Sequence, residues 1–310
     1  MICMGENKDS DHLLKPFVSV IVPVFNSPER AAKCIEALLD QTYPKERYEI
    51  IVVDNGSTDH TPQVIQRYPV TFMVEDRFQS PYIARNLGIQ HAKGQIIALI
   101  DINCFAISRW IEKGVESLEN QEADLCGGKV TFTFSEKMTY GEIFDSISNV
   151  KMKSSIEGRG VAKGGNLFIR KQLFEAIGYF PSTLRSGGDV LWTGNATRKG
   201  FKLVYSEEAE VNYPARTLIP LLKKSYRVGK GQPEIWKTEG ISTFTIYKKI
   251  LSGFRPPSFS FIRRNLEIRG PEKHKINWLL IWVIAWCCSV ANNLGRFHFI
   301  ARRVRQHPLE

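Results

Sequence analysis

Three short apolar runs in this chain each end in a polar or acidic residue: Val24-Phe25-Asn26, Val53-Asp54-Asn55 and Ile100-Asp101-Ile102-Asn103. Where such runs form neighbouring parallel strands, their carboxyl ends open onto the crevice in which α/β sheets bind ligands. Asp54 and Asp101 would then bring two carboxylates to one pocket. For any one run the alternative is that its Asp only caps the next helix; the recurrence at three strand ends points to the pocket. Six cysteines, Cys3, Cys34, Cys104, Cys126, Cys287 and Cys288, show neither C-x-x-C spacing nor clustered histidines. They read as small buried hydrophobes, without a zinc site or a disulfide framework.

The elements that must position these residues follow from the apolar pattern. Residues 17–24 (FVSVIVPV), 49–54 (EIIVVD) and 95–101 (QIIALID) read as buried strands. Ser27-Pro28-Glu29 is an N-cap, a proline at the first helical position and an acidic first turn. The helix it opens runs to about Gln41, with Ala31, Cys34, Ile35, Leu38 and Leu39 on one face. Thr61-Pro62 opens a second helix, residues 70–74 form a short strand and residues 81–92 a third helix. Strands alternating with helices at this spacing imply a mostly parallel sheet covered on both faces, an α/β fold. Further strands are expected at 125–134, 166–170 and 202–205, with a helix between Tyr140 and Lys153. Beyond Tyr213 come basic helices broken at Gly229, Gly231, Pro233 and Arg255-Pro256-Pro257.

The 310 residues suffice for one large domain or a domain with an appendage. Of 42 Lys/Arg and 32 Asp/Glu, 18 and 5 fall within residues 215–310, so that third carries +13 and the remainder −3. Such asymmetry points to a polyanionic surface. No nucleic-acid reading module accompanies it, which favours an anionic membrane leaflet over nucleic acid. Residues 278–291 (WLLIWVIAWCCSVA) form a 14-residue apolar run with three tryptophans, Lys273 and Lys275 before it and Arg296 after it. That is short of a spanning helix and suits the headgroup region, with Arg302, Arg303 and Arg305 extending the positive field. A helix packed on protein is the alternative. Residues 1–15 are polar and acidic without an apolar signal core, so a flexible N-terminus and a reducing, cytoplasmic setting are expected.

The strings PVFN, VVDNGSTD, ARNLGI, LIDIN, GGNLFIR and GGD-V-L-W, in this order between residues 17 and 213, resemble a family 2 glycosyltransferase. The resemblance implies a GT-A-type catalytic domain over residues 16–214, followed by a basic helical, membrane-associating region at 215–310. It implies inverting transfer from a nucleotide-sugar donor, a UDP-sugar by preference, to a saccharide or lipid-linked acceptor at the inner face of a membrane. Asp54 would accept from the imide N–H of the base, with Pro23 and Phe25 walling it. Arg85 would contact base or diphosphate, with a helix-surface arginine as the alternative. Gly164-Gly165-Asn166 would let backbone approach the donor sugar. Asp101 and Asn103 take the D-x-D positions that hold ribose and a divalent cation, Mn²⁺ or Mg²⁺, which would neutralise the leaving diphosphate. Asp189 matches the general base, and it also fits a helix cap. Trp192 would line the acceptor, or else belong to the core.

The chain departs from the family pattern at three places. Gly188 replaces the glutamate that usually precedes the base, Asn103 is uncharged, and no histidine stands in Val211-Asn212-Tyr213-Pro214. A cation there would be weakly held, or Lys223, Lys224, Arg227 or Lys230 would share its task. Gln232-Pro-Glu-Ile-Trp236 lacks the arginine of the processive Q-x-x-R-W motif, which favours addition of one sugar. Two rivals are a nucleotidyltransferase, which would need a Gly-rich loop where PVFNSPER stands, and a non-catalytic nucleotide-binding scaffold of a membrane complex.

Overall fold

The computed structural model describes residues 15–184, 186–238, 240–269 and 276–306; the expected flexible N-terminus lies outside them apart from Lys15. Among the described residues eight strands occur: β1 (Val18–Val24), β2 (Tyr48–Asp54), β3 (Thr71–Val74), β4 (Ile96–Ile100), β5 (Phe105–Ala106), β6 (Leu125–Thr133), β7 (Asn166–Arg170) and β8 (Leu203–Pro214). The helices in the first two-thirds are α1 (Pro28–Leu39), α2 (Thr61–Ile65), α3 (Pro81–His91), α4 (Trp110–Asn120), α5 (Tyr140–Ser148), α6 (Met152–Arg159), α7 (Leu173–Ile177) and α8 (Gly188–Arg198). The last third holds α9 (Leu218–Thr238), α10 (Thr243–Ser252), α11 (Phe259–Arg269) and α12 (Trp278–Gln306).

The chain divides into two compact units. The first comprises Met1–Thr131, Met152–Thr183 and Trp192–Asn212, the second Phe132–Lys151, Leu184–Leu191 and Tyr213–Glu310. The strands form one sheet of order β3-β2-β1-β4-β7-β6-β8-β5. Its β3-β2-β1-β4 portion is parallel, while β7 pairs antiparallel with both β4 and β6. The sheet is therefore mixed, with the parallel strands gathered at one end. Every residue of β1 and of β4 is buried, as sequences covered on both faces must be.

Helix α1 buries Ala31, Cys34, Ile35 and Leu38, a stripe at helical spacing. Ser27 is its N-cap residue, yet the Ser27 hydroxyl donates to the carbonyl of Phe25 instead of capping. The helix expected across 140–153 is two helices, because Asn149 turns extended and Val150 takes φ +40°. The second unit is built on Ile143, Phe144 and Ile147 of α5, packed with Leu221 of α9, Ile262 of α11 and Ile281 and Ala285 of α12. Helix α9 runs unbroken through Gly229, Gly231 and Pro233, against the break expected there. Gly229 serves a close crossing with α12 and not a break: a Cβ on it would lie 1.9 Å from the carbonyl oxygen of Asn292, and one on Gly295 would lie 2.2 Å from that of Tyr226. Helix α12 also extends well past the 14-residue apolar run, and its Trp278–Phe299 stretch is long and apolar enough to cross a bilayer by length and composition.

Candidate active site

Pairing between β1 and β2 runs as far as Val24 and Asp54, whereas pairing between β1 and β4 ends at Ile21 and Leu99. Proline explains the difference. The carbonyl of Val24 accepts from the Asn55 N–H on the β2 side, so the backbone of Pro23, one residue earlier, faces the β4 side. Pro23 has no N–H to continue the ladder there. The two strands part at their carboxyl ends, at the point where the chain order of the sheet reverses, which is where α/β sheets bind ligands. Pro23 itself is buried in β1, and Phe25, just beyond, is 40% exposed.

On the β2 side, Asp54 is 2% exposed and its carboxylate is held by Ser57. The Ser57 N–H donates to Oδ2 at 2.9 Å and the hydroxyl to Oδ1 at 2.5 Å, a local turn in which an Asp organises the next residues. The Asn26 N–H donates to the same hydroxyl and the Thr58 N–H to Asn26 Oδ1, tying the loop after β1 to the loop after β2. The side-chain amide of Asn55 donates to the carbonyls of Glu75 and Phe78, so the chain leaving β3 is held at the same edge. Side-chain bonds from Arg77 hold the Glu75 carboxyl below its ordinary range.

On the β4 side, Arg85 of α3 is 3% exposed, so it is no surface arginine. Its Nη2 pairs with Asp101 Oδ1 at 2.5 Å and donates to the Gly164 carbonyl at 3.2 Å, while Tyr82 lies under the guanidinium. The glycine pair makes this fit. A Cβ on Gly164 would come within 2.8 Å of Arg85 Cζ, and one on Gly165 within 3.1 Å of Asp101 Oδ2. Asp101 stays 42% exposed. Beneath it, burial first and then the Asp101 charge push the Cys34 thiol up to about 12.

Two expected site residues belong to the packing. Asn166 is fully buried with its amide in use: Nδ2 donates to the carbonyls of Lys129 and Ala209, and Oδ1 accepts from Trp110 Nε1. Its side chain joins strands and α4, so any part in donor binding is left to the backbone. Trp192 is 4% exposed, packed against Phe174 and Phe180, with Nε1 donating to the Gly178 carbonyl. Its ring faces are covered by aromatic neighbours, so the expected acceptor wall is corrected to core. Asp189 stands in the first turn of α8, half-buried, after Gly187 at φ +80°, with Oδ1 accepting from the Val190 N–H. It belongs to the second unit, and the residues above belong to the first. Lys224, offered as a cation for the leaving group, pairs with the buried Asp145 at 3.9 Å.

For a divalent cation the resemblance points to Asp101 and Asn103. Asp101 Oδ1 faces the Arg85 guanidinium, and Asn103 Oδ1 accepts from Arg30 Nη1 at 2.5 Å. Hard divalent cations favour several oxygen ligands with net negative charge. One carboxylate and one amide, each bonded to a guanidinium, do not fit such an ion. Among the described residues no group of three or more His, Cys, Asp or Glu side chains converges on a point.

The sequence profile described as Glycosyl transferase family 2 matches residues 19–178, just over half of the chain and all of the strand edge described above. The chain is a family 2 glycosyltransferase. It is 42% identical over 299 residues to the glycosyltransferase AglE of Haloferax volcanii, covering 94% of this chain and 98% of that protein. It is 25% identical to a dolichyl N-acetyl-α-D-glucosaminyl phosphate 3-β-D-2,3-diacetamido-2,3-dideoxy-β-D-glucuronosyltransferase of Methanococcus voltae, covering 69% and 73% of the two chains. Among solved structures it resembles the mannosyltransferase PcManGT of Pyrobaculum calidifontis in complex with GDP-Man and Mn²⁺, with TM-score 0.54, 17% identity, and 96% and 77% of the chains covered. At that identity the likeness establishes the GT-A fold. Both the scaffold and the nucleotidyltransferase readings give way to this family 2 glycosyltransferase. Sequence reasoning missed Arg30, Ser57 and Glu75 and gave Asn26 no role beyond a strand end; of the three only Ser57 carried a signal, in its Asn-Gly-Ser turn.

Proposed function

We propose that this enzyme moves one sugar, with inversion, from a nucleotide-sugar donor to a hydroxyl of a saccharide or lipid-linked acceptor. The observation that carries the reading is the parted edge of β1 and β4, with exposed Phe25 just past β1, the Ser57-held Asp54 at the end of β2 and the Arg85-paired Asp101 just past β4. Phe25 suits the face of a base, and the fixed Asp54 carboxylate suits an imide N–H, which favours a uridine nucleotide. The fold is shared with TarS of Staphylococcus aureus, solved in complex with UDP, at TM-score 0.51. Arg85 holds the Asp101 carboxylate oriented for the ribose.

Asp189 is the proposed general base. Its carboxylate takes the proton from the acceptor hydroxyl while that oxygen forms the new bond to C1. The bond from C1 to the diphosphate oxygen breaks on the opposite face, and the nucleoside diphosphate leaves with the electron pair. Help of this kind contributes roughly 10²–10⁴ in rate. The dolichyl phosphate compound named for the Methanococcus relative supports a lipid-linked acceptor. So do the charge of +13 over residues 215–310 and the exposed faces of α10 and α12, where Phe244, Leu251, Leu279 and Phe297 are 59–80% exposed. Exposed apolar surface on this scale, flanked by basic residues, marks a membrane-facing surface. The chain then works at the inner face of a membrane.

Purified protein is incubated with UDP-, GDP- and dTDP-sugars, and nucleoside diphosphate release and thermal shift are followed. One donor class is expected to stabilise the protein and to be turned over, with turnover lost in Asp189→Asn while stabilisation persists. Undiminished turnover in that variant would remove Asp189 from the mechanism.

A further inference from the structure

We propose that Arg30 and Asn103 form a cationic diphosphate site that does the electrostatic work the family pattern gives to a divalent ion. The inference rests on the nucleotide-donor reading above. It starts from the contact between Arg30 Nη1 and Asn103 Oδ1 at 2.5 Å, across 73 residues of sequence. Asn103 stands where a second carboxylate is expected, and an amide cannot neutralise the arginine it holds. Asp101 is already paired with Arg85, so the four groups together carry one net positive charge.

Position and chemistry then suit an anion. Arg30 lies in the first turn of α1, at the end of the helix where the dipole is positive, and its side chain is exposed. A guanidinium has five N–H donors in a planar fork, so one bond to Asn103 fixes its place and leaves donors for phosphate oxygens. The amide orients the arginine as a carboxylate would, without cancelling its charge. A guanidinium supplies a fixed positive charge, so the site needs no exchangeable ion. Asn103→Asp would invert the logic: the new carboxylate would neutralise Arg30 and supply the second anionic ligand that a metal requires.

The test is isothermal titration of the full chain with UDP and with GDP, in EDTA and in Mn²⁺, for wild type, Arg30→Gln and Asn103→Asp. Arg30 is exposed and Asn103 half-buried, and unchanged melting curves confirm that the variants fold. Wild type is expected to bind one nucleotide with the same Kd, within about twofold, in both buffers. Arg30→Gln is expected to bind about tenfold or more weakly in either buffer, the loss due to one charge-assisted bond. Asn103→Asp is expected to bind weakly in EDTA and to recover in Mn²⁺. Wild-type affinity that falls tenfold in EDTA, or Arg30→Gln binding like wild type, would overturn the site. Failure of wild type to bind either nucleotide in either buffer would instead overturn the donor reading, and this inference with it.

Discussion

Arg85 shows how tightly single residues are constrained at the strand edge. A buried guanidinium needs its charge met, and Asp101 meets it while the Gly164 carbonyl accepts a further bond from Nη2. Gly164 is the only residue type that leaves room, since any Cβ would press on Arg85 Cζ at 2.8 Å. Gly164→Ala is therefore expected to displace the guanidinium from Asp101, weakening nucleotide binding about tenfold and costing about 1–2 kcal/mol of stability. Gly158→Ala, in α6 with open space around the site of its Cβ, is the control, and should bind normally and be no less stable. Calorimetric titration and urea unfolding read both. Asp54 and Asp101 could be picked out in the sequence as candidates because they follow apolar strands, and Arg85 only through the family resemblance of its Ala-Arg-Asn string. The burial of Arg85 could not, since it depends on a glycine pair 79 residues away. Trp192 could not be placed from sequence for a related reason: an indole suits a sugar site and a packed interior equally, and only its neighbours decide.

The elements repeat this division between local and distant causes. The Thr139-x-x-Glu142 signature at the start of α5 forms a complete capping box, and the Glu142 carboxylate also accepts from Ser135. Burial acts to raise the Glu142 pKa, but bonds from the backbone and side chains of Ser135 and Thr139 outweigh it and hold the group below its ordinary 4.5. A folded pKa below the unfolded one means a stabilising contribution that is complete above about 4.5 and is lost as pH falls through the folded value. Glu142→Gln should cost about 1 kcal/mol at pH 7 and progressively less as the pH is lowered toward about 3, as read by urea unfolding across that range. A cost independent of pH would mean that the charge is not what the bonds stabilise. The capping box is a four-residue pattern and can be read in sequence, and so can β1, β2, β4 and α1. The continuity of α9 could not, because the close contact that accommodates Gly229 comes from α12, more than 60 residues later. The split at Val150 escaped for want of any local glycine or proline; its positive φ has no local cause in the sequence.

At the scale of the whole chain, the residues proposed for the chemistry fall in both compact units. The first holds the sheet edge with Phe25, Asp54, Arg85, Asp101 and Arg30, and the second holds Asp189 and the basic helices α9–α12. The charge asymmetry that announces the second unit was legible from composition, as was the apolar run within α12. The apolar exposure of α10 and α11 was not, because their short hydrophobic stripes look like ordinary core faces until the packing is known. Donor capture, proton removal and a membrane-borne acceptor are expected to belong to one reaction. The most direct measurement supplies a sugar-labelled donor, chosen by nucleotide release, to the full chain together with native membranes, and then follows the label into the organic-soluble fraction. The account predicts label in that fraction, attached with the anomeric configuration opposite to that in the donor, and none when Asp189→Asn replaces wild type. Label attached with the donor's own configuration, or released wholly as free sugar while the membranes are present, would contradict it.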